Sequence, residues 1–247
     1  MAPENVTLTT PPEEELASLK TQFLASLNHE VRTPLTGIVG MTELLLETSL
    51  SQEQKEYVDA ARHCAGDLLA LFNKTLEFSD LASGRVILER HEFHLPEVLR
   101  SAVLAHVLAA RDKGLKLSCR LPPNLPATAI GDAVRLGQLV FHMVENAVKF
   151  TERGKVQVLV EAPFKDAGLQ LNIKVRDTGI GIAPDKLEMV FESFRQLDGG
   201  LARAYGGLGL GLPLAQKLTL LMGGHVSVES EPGVGSEFSV TIPLELV

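Results

Sequence analysis

The sequence predicts two folded parts in succession: an all-α helical hairpin that pairs with a second copy as a four-helix bundle, and an α+β sandwich. Apolar residues recur every three or four positions through the first third of the chain, which is typical of long amphipathic helices. Alternating apolar residues then mark short strands, separated by segments with helical spacing. We assign residues 13–88 to the first part, 89–247 to the second, and 1–12 to a linker or disordered N-terminus.

The composition is typical of a soluble globular protein. Of the 247 residues, 45% are hydrophobic and 22% charged, and the net charge is -8. This charge argues against nucleic-acid binding, which requires a basic face. Because the sequence has neither a run of about 18 apolar residues nor a signal-peptide pattern, we expect a cytoplasmic segment without membrane contact. Cys64 and Cys119 lack metal-ligand spacing and fit reduced thiols.

The first predicted helix carries one apolar stripe. Its members are Leu16, Leu19, Phe23, Leu27, Val31, Pro34, Ile38, Met41 and Leu45. A break at residues 48–51 precedes a second helix, whose stripe comprises Tyr57, Ala61, Cys64, Leu68, Leu71, Thr75 and Phe78. A lone hairpin leaves half of its apolar surface in water, so we predict a homodimer. Pro34 removes a backbone hydrogen bond inside the first helix, and is either a tolerated bend or a hinge beside a reactive residue.

The second part alternates predicted helices and strands. The helices are expected at Pro96–Asp112, Asp132–Thr151, near Pro184–Phe194 and at Gly211–Met222. The strands are expected at Lys116–Leu121, Val156–Val160, Leu169–Val175, Val226–Glu229 and Glu237–Ile242. Together they predict a partly antiparallel sheet with helices over its apolar face.

A histidine and a carboxylate stand side by side on the first helix. At about 100° per residue, His29 points away from the apolar stripe and is not needed for the core. A neutral imidazole is a nucleophile near neutral pH, and the adjacent Glu30 can take or orient its second proton. Taken alone, such a pair on a helix is most often ordinary surface.

Three glycine-rich segments punctuate the second part, at Asp177–Gly181, Gly206–Gly211 and Gly233–Gly235. Glycine lets backbone amides approach phosphate oxygens, although each segment alone is most simply a tight turn. Neither the Rossmann spacing nor the P-loop lysine is present, so a nucleotide site here must be of another kind. Asn146 and Lys149 share one helix face, where an amide oxygen suits Mg²⁺ and an ammonium suits phosphate. A plain polar helix face is the commoner meaning of such a pair.

The order of the motifs resembles the sensor histidine kinase family. The motifs are His-Glu-x-Arg-Thr-Pro-Leu at 29–35, Asn-Ala-x-Lys-Phe-Thr at 146–151, Asp-x-Gly-x-Gly at 177–181, Phe-x-x-Phe at 191–194, Gly-Gly-x-Gly-Leu-Gly-Leu at 206–212 and Gly-x-Gly-Ser-x-Phe at 233–238. The resemblance covers about Leu19 to Leu244 and is closest to the class that includes hybrid sensor kinases. It implies a dimerisation and histidine-phosphotransfer hairpin followed by an ATP-binding domain of the Bergerat type.

The resemblance implies a two-component signalling enzyme. His29 would take the γ-phosphoryl group of MgATP and pass it to an aspartate of a response regulator or receiver domain. Glu30 would be the general base, and Thr33 would help to place water for dephosphorylation of the partner. The family also implies a homodimer, with a sensor domain N-terminal to this segment in the full protein.

The resemblance assigns the nucleotide site to the second part. Asp177 would accept a hydrogen bond from the adenine amino group, Asn146 would ligate Mg²⁺, and Lys149 would contact phosphate. Phe191 and Phe194 would anchor a lid, and Arg203 on that lid would face the γ-phosphate. The other implied nucleotide contacts are Phe150, Gly179, Gly181, Tyr205, Gly207, Leu208, Gly209, Leu210 and Gly211.

Three positions depart from the family pattern. His142 replaces an Asn that helps to hold the metal in relatives, and imidazole is a poor Mg²⁺ ligand, so His142 is at most a weak metal ligand. Leu208 replaces a common Thr or Ser, and Lys74 replaces a frequent Asp. These departures leave open a degenerate ATP-binding relative that acts as a dimeric modulator or phosphatase. Chaperone, gyrase and mismatch-repair ATPases are disfavoured, because they carry an acid at position 142 and lack the hairpin.

Overall fold

The chain divides into two compact units, Met1–Arg85 and Val86–Val247. The computed structural model describes residues 13–84, 86–165, 168–195 and 208–246. The boundary predicted after residue 88 lies close to this division, and the predicted N-terminal linker, residues 1–12, is outside the described residues. Among the described helices, none combines the length and apolar character needed to cross a lipid bilayer.

Unit 1 is the predicted helical hairpin. Helix α1 spans Glu13–Leu46 and helix α2 spans Gln52–Ala82. A capping box starts α2: the N–H of Gln54 donates to Ser51 Oγ at 3.2 Å, and the Gln54 side chain accepts the N–H of Ser51 at 2.9 Å. Pro34 lies inside α1, and the helix continues on both sides of it.

The hairpin presents more apolar surface than its two helices bury. Leu35, Thr42 and Ala65 are buried in unit 1, with exposures of 6–8%. Ile38 and Met41, which belong to the predicted stripe, keep 46% and 68% of their surface exposed in the single chain. Part of the predicted stripe is therefore an uncovered face of the hairpin.

Unit 2 contains eight described strands and four described helices. The strands are β1 (His91–His94), β2 (Lys116–Arg120), β3 (Thr128–Gly131), β4 (Lys155–Glu161), β5 (Phe164–Lys165), β6 (Gly168–Asp177), β7 (His225–Glu231) and β8 (Gly235–Leu244). The helices are α3 (Leu95–Leu104), α4 (Val107–Asp112), α5 (Ala133–Phe150) and α6 (Gly211–Leu221).

The main sheet has the strand order β2-β4-β6-β8-β7, with β5 paired to the start of β6. Only β2 and β4 run parallel, and the other described pairs of this sheet are antiparallel. A separate antiparallel pair, β1–β3, leads into α5. Asp132 caps that helix, because its carboxylate accepts the N–H of Arg135 at 3.0 Å and that of Glu89 at 3.2 Å.

The core lies between one face of the sheet and the helices. Alternate residues of the three central strands are buried: Val156, Val158, Val160, Leu171, Ile173, Val175, Phe238, Val240 and Ile242. Leu139 and Met143 of α5 and Leu214 and Leu218 of α6 are at most 1% exposed and complete the second layer. The predicted α+β sandwich is confirmed.

Two predicted helices were wrong in detail. The helix expected at Pro96–Asp112 is two helices, because the chain tightens at His106, whose buried ring lies 4.4 Å from that of Phe141. The segment near 184–194 forms two three-residue 3-10 turns, Pro184–Lys186 and Met189–Phe191, and Glu192 after them is extended. Strands β1, β3 and β5 were not predicted.

Candidate active site

The carboxylate predicted to accept the adenine amino group is buried. Asp177 ends β6 and is 7% exposed. Its Oδ1 accepts the N–H of Gly179 at 2.8 Å, and the backbone of Ser236 also donates to the carboxylate. Burial raises the pKa of Asp177 above its ordinary value, and these two hydrogen bonds offset the rise only in part. A carboxylate with acceptor capacity to spare suits an exocyclic amine.

The glycines of the loop after β6 are required by close backbone approach. A Cβ on Gly179 would overlap the carbonyl oxygen of Phe150, at the end of α5. A Cβ on Gly181 would overlap the carbonyl oxygen of Glu231, at the end of β7, and Gly181 also has a φ of 68°. The loop is therefore held between helix α5 and the β7–β8 turn.

We expect Gly181→Asn to destabilise unit 2 by about 2–4 kcal/mol, because the new side chain meets backbone that cannot move aside. Gly233→Asn is the matched control: its φ of 78° is similar, but no atom lies within 4 Å of its added Cβ. Chemical denaturation of both variants measures the free energy of unfolding. Equal losses would contradict the importance of the Glu231 contact.

Two hydroxyl groups that were not predicted also hold this loop. Thr178 Oγ1 accepts the N–H of Lys155 at 3.0 Å. Ser230 Oγ accepts the N–H of Ile182 at 2.8 Å and donates to the carbonyl of Gly235 at 2.9 Å. Thr178 lies within a motif and could have been noticed. Ser230 carries no local signal, because its partner Ile182 is 48 positions away in the sequence.

The predicted metal residue of α5, Asn146, lies beside the start of α6. Asn146 Oδ1 lies 3.5 Å from where a Cβ on Gly211 would be, at the first residue of α6. Within the described residues, no side chain caps the N-terminus of α6, whose N-cap is Leu210, and backbone amides at such an end suit an anion. The Lys149 ammonium lies 5.0 Å from the centre of the Phe150 ring. The structure thus brings Asn146 and Gly211 together beside a helix N-terminus.

In the described part of the loop that precedes α6, the exposed groups are mainly those of the backbone. Leu210 is 2% exposed, so its side chain belongs to the core, and Leu208 is half-buried. Gly209 has a φ of 66°, and a Cβ there would lie 2.5 Å from the carbonyl oxygen of Arg195. Three predicted site residues lie outside the described residues: Arg203, Tyr205 and Gly207.

The two phenylalanines predicted to anchor the lid differ in environment. The Phe191 ring meets Phe238 of β8 edge to face, with 6.4 Å between the ring centres. Phe194 is 57% exposed, and its φ of 62° is unusual for a residue other than glycine. Phe191 is therefore anchored to the sheet, whereas Phe194 lies on the surface.

The predicted metal ligands are Asn146 and, more weakly, His142. His142 is 4% exposed, and its Nδ1 lies 3.8 Å from Glu145 Oε2 on the next turn of α5. No group of three or more His, Cys, Asp or Glu residues within the described ranges could hold a metal ion. Mg²⁺ commonly takes one or two protein oxygens and completes its shell with phosphate and water, so the Asn146 amide fits this ion.

The predicted phosphoacceptor segment lies in unit 1. His29 is in α1, and its side chain is outside the described part of the chain. Glu30 and Thr33 are exposed on the same helix, one turn apart. The segment is therefore helical at His29, and the Glu30 carboxylate that follows is exposed to solvent.

Family comparisons agree with both units. Residues 19–84 match the His Kinase A (phospho-acceptor) domain, and residues 131–246 match the histidine kinase-, DNA gyrase B- and HSP90-like ATPase family. The signal transduction histidine-protein kinase BarA of Escherichia coli K12 is 41% identical over 94% of this chain and 26% of its own length. The autoinducer 2 sensor kinase/phosphatase LuxQ of Vibrio cholerae is 37% identical over 95% of this chain and 27% of its own length.

A solved structure is also similar. Full-length ShkA in complex with AMPPNP has a TM-score of 0.75 and 36% identity, over 92% of this chain and 46% of that one. The chain spans about a quarter of the length of BarA and of LuxQ. It belongs to the histidine kinase family, as a core made of a phosphoacceptor domain and an ATPase domain.

Proposed function

We propose that this chain uses MgATP to phosphorylate His29 and passes the phosphoryl group to an aspartate of a response regulator or receiver domain. The observation that carries the proposal is the presence, in one chain, of a phosphoacceptor hairpin and an ATPase unit with a buried acceptor carboxylate, Asp177. ATP is available in the cytoplasm, where thiols also remain reduced. Cys64 and Cys119 form no disulfide in the described residues, so we assign the chain to that compartment.

The adenine end of the site would be read by Asp177. The exocyclic amine donates to the carboxylate, whose other hydrogen bonds come from the protein backbone. At Gly179 and Gly181 the loop beside adenine would present only backbone atoms, because a side chain at either position would displace the loop. The pocket therefore selects for a donor at the adenine edge.

The phosphate end would be formed by α5 and the start of α6. Lys149 supplies positive charge, and the backbone amides at the N-terminus of α6 donate hydrogen bonds to phosphate oxygens. Asn146 would hold Mg²⁺ through its amide oxygen, and the ion would neutralise charge on the bound phosphates. These groups orient the γ-phosphate and lower the repulsion that a nucleophile meets.

Transfer is a single displacement at phosphorus. An imidazole nitrogen of His29 forms the new N–P bond while the bond from the γ-phosphorus to the bridging oxygen breaks, and ADP leaves with that electron pair. Glu30 takes or orients the proton on the second ring nitrogen. The phosphoryl group then moves from His29 to an aspartate oxygen of the partner, which regenerates the free imidazole.

We further propose that the chain is a homodimer joined through unit 1. The uncovered apolar face contains Ile38, Met41, Leu44 and Leu45, each at least 45% exposed in the single chain. Met41→Glu is expected to weaken dimerisation by at least about tenfold, because a charge would be buried in an apolar contact. Light scattering coupled to size exclusion measures the mass at several concentrations.

Glu43→Lys, at an exposed neighbouring position on α1, is the control for this dimer and should leave the mass unchanged. A parent chain that stays monomeric, or a Met41→Glu chain that stays dimeric at all concentrations, would contradict this interface.

The chain should acquire acid-labile, base-stable label when it is incubated with Mg²⁺ and γ-labelled ATP, because a phosphorus–nitrogen bond hydrolyses in acid. Nucleotide binding without label would favour the degenerate modulator or phosphatase, which His142 and Leu208 motivate. His142→Asn and Leu208→Thr are then the reversions that should restore labelling.

A further inference from the structure

The last turn of α5 closes against the loop that carries the candidate adenine acceptor. A helix leaves its last four carbonyl groups without partners inside the helix. In α5, the Thr151 hydroxyl donates to the carbonyl of Ala147 at 2.7 Å, and the N–H of Ile180 donates to that of Phe150 at 3.4 Å. Two of the four carbonyl groups, those of Ala147 and Phe150, therefore accept hydrogen bonds from Thr151 and from the loop after β6.

The other two carbonyl groups are occupied by one lysine outside every motif. The Lys113 ammonium donates to the carbonyls of Val148 and Lys149, both at 2.8 Å, and to that of Thr151 at 3.4 Å. Lys113 is the C-cap residue that follows α4, and its backbone N–H donates to carbonyl groups of that helix, so its backbone is held by a neighbouring element. A cation at this end also opposes the partial negative charge of the α5 dipole.

The position of the α5 end matters because its last residue, Phe150, contacts the loop after β6 that carries the candidate adenine acceptor. Its carbonyl oxygen accepts from Ile180 and leaves no room for a Cβ on Gly179. Gly179 in turn donates to Asp177 at 2.8 Å. A shift of the last turn of α5 would therefore move the loop that aligns the acceptor carboxylate.

We infer that Lys113 is a positioning residue for the nucleotide: it fixes the end of α5, and through the Phe150 carbonyl it fixes the loop that binds adenine. This inference rests on the ATP binding proposed above. Lys113 acts through other residues and does not need to touch the nucleotide. Its effect should therefore be equal for ligands with and without phosphate.

The test compares Lys113→Met with Lys113→Arg in the full chain, and Lys116→Met is the matched control at an exposed lysine nearby. Calorimetric titration with adenosine and with ADP measures both affinities. Lys113→Met should weaken both by about fivefold, because three carbonyl groups lose a charged donor. Lys113→Arg should restore most of the affinity, and Lys116→Met should bind as the parent does.

A role in stability alone would lower the melting temperature without changing either affinity, and that result would overturn the inference. Weaker ADP binding with unchanged adenosine binding would also overturn it, since Lys113 would then act by charge on phosphate. In the labelling reaction, KM for ATP should rise while the rate at saturating ATP stays within about twofold. Should Lys113→Met fail to fold, Lys113→Gln carries the same comparison. A parent chain that binds neither ligand would instead refute the proposed ATP site itself.

Discussion

Replacement of His29 by Gln should abolish labelling of the chain by γ-labelled ATP. Glutamine keeps a polar side chain on α1 but has no nucleophilic nitrogen, so the expected loss is at least about 1,000-fold. Because His29 lies in unit 1 and the ATPase unit is separate, ADP should bind the variant with the affinity of the parent. The effect is measured as the amount of acid-labile label on the protein after separation on a gel.

His63→Gln provides the matched control for His29. His63 is exposed on α2 of the same unit, and its Nδ1 lies 2.7 Å from the carbonyl of Asp59. This variant should label fully, since it changes a histidine of the hairpin outside the motif. Acid-labile label that persists in His29→Gln, or disappears equally in His63→Gln, would refute His29 as the phosphoacceptor.

Asp177→Asn should reduce nucleotide affinity by about 10- to 100-fold, because one charge-assisted hydrogen bond to the ligand is lost. The carboxylate already accepts from the backbone of Gly179 and Ser236, and the adenine amine would be a further donor. An amide has a single acceptor oxygen, so its NH₂ group would face one of these donors. Titration with ADP measures the loss, and unchanged affinity would contradict the assignment.

The same substitution should remove a pH-dependent penalty on the folded state of the unliganded chain. Burial raises the pKa of Asp177 in the folded state, so the ionised carboxylate disfavours folding above that pKa. This penalty is fully present at neutral pH and disappears as the pH falls through the folded-state pKa towards the unfolded value. Denaturation of parent and Asp177→Asn over this range should show the difference shrinking in acid, and a difference that is independent of pH would contradict the buried ionised carboxylate.

Acid should have the opposite effect on nucleotide binding: the affinity of the parent should fall as the pH falls. As the pH falls through the raised pKa, Asp177 becomes protonated and loses the charge that strengthens its bond to the amine. The affinity for ADP should therefore decline at a higher pH than an ordinary aspartate would give. Asp177→Asn should lack this step.

The sequence predicted those helices and strands that are determined by residues close together in the chain. The strands β6 and β8 alternate buried and exposed residues, and α5 begins at the capping side chain of Asp132, so their patterns sufficed. The break between α3 and α4 could not be predicted. No glycine or proline marks it, and the buried His106 at the break lies beside Phe141, a residue 35 positions later in the sequence.

The candidate site shows the same limit. Motifs indicated Asp177, Gly179 and Gly181, but the reason that Gly181 must be glycine is the backbone of Glu231, on another strand. Lys113 and Ser230 carry no motif at all, since their roles exist only through hydrogen bonds to distant segments. The spacing of residues along the sequence indicates which residues are neighbours within one helix or strand. Contacts between different elements can be identified only once the fold is known.

The central position of β8 sets the order in which this chain can fold. Strand β8 contains residues 235–244 and is hydrogen-bonded on both sides, to β6 and to β7. The sheet of unit 2 therefore cannot close until nearly all of these 247 residues have left the ribosome. The α1–α2 hairpin lies within residues 13–82 and leaves the ribosome much earlier. During synthesis, the helix that carries His29 thus becomes available before the unit that would bind ATP is complete.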